Sequence, residues 1–553
     1  MDNRICIEIP SFTDAETGRA VTELEHFLTA AGCVVTDKAP QTVRFAGREI
    51  ADGGYRIVSD GRTATICAAD GYGRLYGAYA LLEKSVGFRV YAADEIALSP
   101  WQGLPVIDIT ETPSFPLRMY NCADVYYDKT LQDRMRMRTE IWAGPGSWFH
   151  TTFGYLPPET YAAAHPSWYG GLDEKGKTAQ LCYSTLLRDP EAYDAFFAAV
   201  VKVLEKHPDK PNLSVTHEDN IGWCDCPDCR ASRERYGTDA AVLIRFINKL
   251  ARDVSAWCRL KNRPAPTVVF FAYYATVEPP VTETADGIRP IDDDLYVDGN
   301  AGVIYAPIDM DYGVPVTDPV NGIHAERMRK WAAVCKKLYV WTYQTNFSYY
   351  LVNSDSISVM PANYRFARDL GAYLYYDQGQ TNNCHAVCFS ELRTFLTANL
   401  LWNVDRDMTQ LTDSFFRHYF SEASVPMRKF FDEMLENHRR WHEQITVGKE
   451  WYIYFKIVRP DVWPRDTLDR WLGYLDEAYA AVQTVSDSVR RETLFNRVRK
   501  ESVSVRYLYL RLYGGDRQEK QRLIDDVREI GTTRLCEGKP IDALTAELLA
   551  ADI

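Results

Sequence analysis

Several absences narrow the reading of this chain before any motif does. No run of about 18 apolar residues occurs in its 553 residues, which excludes an ordinary transmembrane helix. Positive charge is in deficit, with 63 Lys and Arg against 76 Asp and Glu, and the net charge of −13 argues against nucleic acid or an anionic membrane as partner. The opening MDNRICIEIPSF has neither a cationic n-region nor a long apolar h-region, so the expected compartment is the cytoplasm. No G-x-S-x-G elbow, H-E-x-x-H pair or Walker loop is present, leaving serine-hydrolase, zinc-protease and nucleotide chemistry without support. Paired cysteine spacing is scarce too. The thirteen cysteines are odd in number and mostly scattered singly in apolar segments, as reduced packing thiols would be.

What remains is an ordinary globular composition, 46% apolar and 25% charged, long enough for about three domains that each bury a core. Aromatic residues are plentiful, 35 Tyr and 13 Trp among them, and such rings suit both cores and the apolar faces of sugars. Residues 1–112 read as an α+β unit: YRIVSD and TATICAA are strands joined at Asp60-Gly61-Arg62, and apolar positions recur at helical spacing from Gly73 to Val86. Gly71, Gly73 and Gly77 depart from dinucleotide-loop spacing and read instead as close packing of that helix on the sheet. Residues 113–415 alternate strand-like with helix-like runs. Eight strands are expected, in PLRMYNC, EIWAG, AQLCYS, NLSVTH, TVVFFAYY, LYVDG, KLYVWTY and AYLYYD, and they predict a (β/α)8 TIM barrel with its site at the strand C-terminal ends. Residues 416–553 are helix-patterned and predict a helical C-terminal domain.

On that scaffold the segment after the fourth strand, LSVTHEDNIGWCDCPDC, carries the densest chemistry. Glu218 and Asp219 are adjacent carboxylates flanked by His217 and Asn220, and glycoside cleavage needs two carboxyl groups. Strand alternation turns Ser214, Thr216 and Glu218 toward the lumen, with Asp219 inward if the strand has already turned. The seventh strand sends Trp341 and Tyr343 inward as a stacking wall, and Asn346 follows in the loop. In the eighth strand Tyr375 and Asp377 share a parity that is expected to face inward, which makes Asp377 the acid partner from another strand. His150, in a Gly- and aromatic-rich loop after the second strand, offers a hydrogen bond to a sugar hydroxyl. Cys224, Cys226 and Cys229 form half of a zinc pattern that Cys182, Cys258 or His217 could complete in space; packing thiols that support the loop are preferred, so neither metal nor cofactor is expected.

These residues also carry a likeness. WFHTTFGYLPPETYAAAHPSWYGG, VTHEDNIGWCDCPDC, VWTYQTNFSYYL and AYLYYDQG with SELRTFLTANLLWN together resemble, over roughly residues 115–420, the bacterial family called domain of unknown function 4838. GYRIVSDGRTATICAADGYGRLYGAYALLEKSVGFRVY resembles the small domain that precedes the barrel in β-hexosaminidases and α-glucuronidases. The resemblance implies a TIM-barrel glycoside hydrolase and says little about the sugar. The barrel pattern, the acids after strands four and eight and the inward aromatics make the leading expectation an exo-acting glycosidase on an oligosaccharide or glycoconjugate, with an N-acetylhexosamine or a uronic-acid-type sugar as the expected unit. In related barrels that use the substrate's own N-acetyl group, an acidic pair after strand four orients the acetamide and donates the proton. Glu218-Asp219 stands at a similar place, in reversed order and without the preceding His-Gly-Gly. The alternatives are a catalytically silent carbohydrate-binding protein on the same fold and a polysaccharide lyase.

Overall fold

A computed structural model describes residues 3–10, 14–444 and 452–549. At the N-terminus, β1 (Arg4–Ile7), β2 (Val34–Val35), β3 (Gln41–Gly47), β4 (Tyr55–Asp60), β5 (Thr63–Ala68) and β6 (Val106–Glu111) form one sheet in the order β2-β1-β3-β5-β4-β6. The β4–β5 hairpin turns at Gly61, whose φ of +85° suits a residue without a Cβ. Helices α1 (Ala15–Ala30) and α2 (Gly71–Val86) pack side by side against this sheet. The α2 glycines serve that contact: a Cβ on Gly73 would lie 2.4 Å from the Gly54 carbonyl oxygen, and one on Gly77 2.6 Å from Ile66. Asp70 starts the helix by accepting from the Gly73 N–H at 2.6 Å, and Gly87 ends it in the left-handed conformation.

The central sheet is parallel and TIM-barrel-like. Its strands are β7 (Leu117–Asn121), β8 (Trp142–Ala143), β11 (Asn212–Ser214), β12 (Thr267–Ala272), β13 (Ala301–Tyr305), β14 (Leu338–Tyr343) and β15 (Leu374–Gln378), in the order β8-β11-β12-β13-β14-β15-β7. The last strand pairs with the first, while β7 and β8 are the two edges of the sheet and do not pair with each other. Two of the eight expected strands lie elsewhere. AQLCYS does not join the wall; its residues form β10 (Thr178–Leu181), antiparallel to β9 (Tyr169–Leu172), and β8 pairs directly with β11 across the third position. LYVDG is a 3-10 turn and loop, and the sixth strand is the next segment, AGVIY. Both short runs satisfied strand patterning, which does not decide which neighbour a strand adopts.

Aromatic side chains fill the lumen in layers. Tyr339 donates to Asn212 Oδ1 at 2.7 Å and stands over Gly302, where a Cβ would come within 2.5 Å of the ring. Above it Trp341 packs against Phe149 and Tyr376, each with centroids 4.6 Å away. Beyond the barrel, helices including α3 (Arg465–Gln483), α4 (Ser488–Tyr513) and α5 (Arg517–Ile530) form the C-terminal domain, and a short hairpin, β16 (Arg534–Cys536) with β17 (Lys539–Pro540), follows. This hairpin reaches back to the barrel mouth: Tyr350 N–H donates to Leu535 O at 3.0 Å and Glu537 N–H to Phe347 O at 2.9 Å. No helix among the described residues is long and apolar enough to cross a membrane.

Candidate functional site

At the C-terminal ends of the barrel strands lies a cavity of about 190 Å³. Its floor and walls are Trp341 and Tyr343 of β14, Phe271 of β12 and Tyr273 just beyond it. Gln378 closes one side and accepts from Trp341 Nε1–H at 3.0 Å. Two carboxylates face the space. Asp219, exposed at the tip of the loop after β11, accepts from the Tyr273 hydroxyl at 3.2 Å. Glu537, in the turn between β16 and β17, accepts from the Tyr454 hydroxyl at 3.0 Å. Each acid is thus held by a phenol while keeping acceptor capacity for a ligand.

His150 completes the lining. Its φ of +54° is left-handed, a conformation that costs a β-carbon residue roughly 1–2 kcal/mol and persists where its surroundings hold it. The hold is visible: Nδ1–H donates to the His217 carbonyl at 2.9 Å, which leaves Nε2 for the cavity side.

Of the residues expected from sequence, Asp219, His150, Trp341 and Tyr343 share this cavity; the others stand behind it. Glu218 points away from it, its Oε1 accepting from the Thr152 hydroxyl at 2.8 Å and the Phe153 N–H at 2.9 Å, and burial pushes its carboxyl above the ordinary range. His217 is buried beneath the loop with Nε2 3.2 Å from the Thr276 hydroxyl, and burial lowers it to about 4, so it is neutral at pH 7. Asn220 ties its loop to β10, donating to Ala179 O at 3.0 Å and accepting from Gln180. Asn346 donates to Phe455 O at 2.8 Å and so anchors the C-terminal segment instead of meeting a sugar.

The expected inward placement of Tyr375 and Asp377 is wrong. In-register pairing sets Trp341 beside Tyr376 and Tyr343 beside Gln378, so Tyr376 and Gln378 face the lumen and Asp377 faces the helices. There it is buried and accepts from Thr342 at 2.9 Å, Gln344 at 2.6 Å and Tyr364 at 2.5 Å; burial raises it. Tyr375 shares that side, its hydroxyl 3.1 Å from Thr342 Oγ1. Both faces of a buried parallel strand are apolar, so alternation identifies two faces without telling which is inner.

Sequence reasoning missed Tyr273, Gln378, Tyr454 and Glu537. Tyr273 continues the alternation of β12 two residues past Phe271, whereas Gln378 is placed only by the register of β15 on β14; Glu537 is brought in by the C-terminal hairpin, and nothing local in RLCEGKP points to the barrel mouth.

Residues 99–432 match the family model described as domain of unknown function (DUF4838). The chain belongs to this family. No curated protein matches it. Among solved structures it is similar to BtGH115A, described as a family GH115 4-O-methyl-α-glucuronidase with specificity for decorated arabinogalactans, at 12% identity and a TM-score of 0.53, covering 95% of this chain and 76% of that one. It is also similar to CpGH84D, at 11% identity and a TM-score of 0.50, covering 100% of this chain and 96% of that one. At these identities the likeness shows the fold alone: this DUF4838 protein has a TIM-barrel-like domain between N- and C-terminal domains.

Proposed function

We propose that the chain is a glycoside hydrolase that releases one terminal sugar from an oligosaccharide or glycoconjugate, with Asp219 and Glu537 at the scissile bond. The observation that carries this reading is the cavity itself, where two carboxylates from separate elements meet over an aromatic floor at the strand ends. One carboxyl group donates a proton to the glycosidic oxygen as the anomeric C–O bond breaks and its electron pair passes to that oxygen. The other stabilises the positive charge or activates the water whose hydroxyl ends on the anomeric carbon. The volume falls below the roughly 300–1,000 Å³ of pockets for drug-sized ligands and suits a single ring, which supports exo action.

The lining also bears on the sugar. No Lys or Arg is among the described residues that line the cavity, so a uronate in it would meet Asp219 and Glu537 without a cation in its wall. Of the two expected sugar types, the neutral N-acetylhexosamine is favoured.

The test is a panel of aryl N-acetylhexosaminides, neutral hexosides and uronides, followed by natural oligosaccharides with product analysis. Expected is a released monosaccharide with a new reducing end, with Asp219→Asn and Glu537→Gln each slowing turnover on the order of 10²–10⁴-fold in folded protein. An unsaturated product would identify a lyase, and sugar binding without turnover would identify a silent binding protein.

A further inference from the structure

Next to the Asp219 loop the fold gathers four cysteines that are far apart in sequence. Cys224, Cys226 and Cys229 come from the loop and the start of the helix Pro227–Tyr236, and Cys182 directly follows β10 at the start of the helix Tyr183–Arg188. Their four Sγ atoms all lie within 4.8 Å of one another. Cys182 Sγ is 3.4 Å from Cys224 Sγ and 3.8 Å from Cys226 Sγ. None of the four is in a disulfide. A zinc ion bound by four thiolates at about 2.3 Å sets its sulfurs about 3.8 Å apart along the edges of a tetrahedron. Three thiols are buried and Cys226 is half-buried, so the set is closed to solvent on most sides.

We propose that Cys182, Cys224, Cys226 and Cys229 form a structural four-cysteine zinc site that fastens the β9–β10 hairpin to the loop carrying Glu218 and Asp219. Three further features suit the assignment. Hydroxyls stand where ligand sulfurs need hydrogen-bond donors: Ser184 Oγ is 3.1 Å from Cys229 Sγ and 3.3 Å from Cys226 Sγ, and Thr185 donates to Cys182 Sγ at 3.2 Å. Cys226 and Cys229 flank the N-terminus of a ten-residue helix, whose dipole favours thiolate. The surrounding backbone leaves no slack, since a Cβ on Gly170 would fall 2.3 Å from the Cys224 Cβ. With four protein thiolates the metal keeps no position for water or substrate, so its role is architectural.

The consequence runs to the candidate site. Two residues before Cys182, the buried Gln180 accepts from the Glu218 N–H and donates to the Glu218 carbonyl, both at 3.0 Å. Clamping Cys182 to Cys224 therefore fixes the peptide that precedes Asp219. The sequence analysis left Cys182, Cys258 and His217 open as the fourth ligand and preferred packing thiols; Cys182 is the one that the fold brings beside the other three, because AQLCYS leaves the barrel wall for a hairpin.

Metal analysis of the intact chain, purified under reducing conditions and freed of loose ions by gel filtration, tests this without reference to any glycosidase activity. About one zinc per chain is expected, released in step with four newly reactive thiols when a mercurial titrates the cysteines. Exchange with Co²⁺ should give the absorption of a tetrahedral tetrathiolate centre. Cys226→Ser alters the least buried ligand and should lower the zinc content while raising hydrogen exchange across residues 218–229. A folded wild-type chain that holds no stoichiometric zinc after reconstitution, a disulfide among these four found by mass spectrometry, or iron in place of zinc would overturn the assignment.

Discussion

At the scale of single residues, the adjacent acids Glu218 and Asp219 divide their work by direction alone. Asp219 reaches the cavity and keeps one phenol partner, whereas Glu218 turns back to hold the chain at Thr152 and Phe153, two and three residues beyond His150. Glu218 is therefore a positioning residue in this geometry. Gln at 218 still offers an oxygen to both donors, while Ala leaves the Thr152 hydroxyl and Phe153 N–H without their acceptor at a cost of about 1–3 kcal/mol. Glu218→Gln should then retain far more turnover than Asp219→Asn, and Glu218→Ala should lower both stability and turnover. Steady-state kinetics beside thermal melts separate the two residues; equal, near-complete loss in Glu218→Gln and Asp219→Asn would instead make Glu218 a direct participant.

At the scale of elements, β14 and β15 show what was legible and what was not. The aromatic alternation in LYVWTY marked Trp341 and Tyr343 as one face, and that face does line the cavity. In AYLYYDQ both faces are aromatic or apolar, and only the register with β14 reveals that Tyr376 and Gln378 are the inner pair. The same limit explains AQLCYS, whose strand pattern is real but whose partner is β9. Glu537 was beyond sequence reasoning for a different reason, because its place depends on how the C-terminal hairpin docks over 180 residues away from β14 in the chain. The inverted parity has a measurable consequence at Asp377. Its three buried hydrogen bonds join β14, β15 and the helix Met360–Asp369, so Asp377→Asn should cost about 1–3 kcal/mol of stability while turnover per folded molecule stays near wild type. Comparing denaturant midpoints with active-site-normalised rates checks this, and a rate collapse without destabilisation would return Asp377 to the chemistry.

At the scale of the whole molecule, buried ionisable groups in the C-terminal region couple folding to pH in opposite senses. Glu501 lies within α4, accepts from the Phe389 N–H at 2.7 Å, and is raised to about 8 by burial and by the neighbouring Glu391 carboxylate, against the attraction of Lys500 and Arg393. The folded chain thus holds a proton there that the unfolded chain gives up above about pH 4.3. Its contribution to stability is complete below that pH and is lost as the pH rises to about 8. His438 works the other way. Burial lowers it to about 4, with Asp355 opposing and Arg393 and His442 reinforcing, so the folded chain keeps it neutral while the unfolded chain takes a proton below about pH 6.5. That contribution is complete above pH 6.5 and is lost as the pH falls to about 4. The expected outcome is a pair of difference curves of opposite slope. The melting temperature of wild type minus that of Glu501→Gln should decline between about pH 4.5 and 8 and then level, and wild type minus His438→Gln should decline as the pH drops below about 6.5. Calorimetry across pH 4.5–9 measures both, since each variant removes one titration and leaves every other group in common; a Glu501→Gln curve parallel to wild type would mean that Glu501 titrates alike in the folded and unfolded chains.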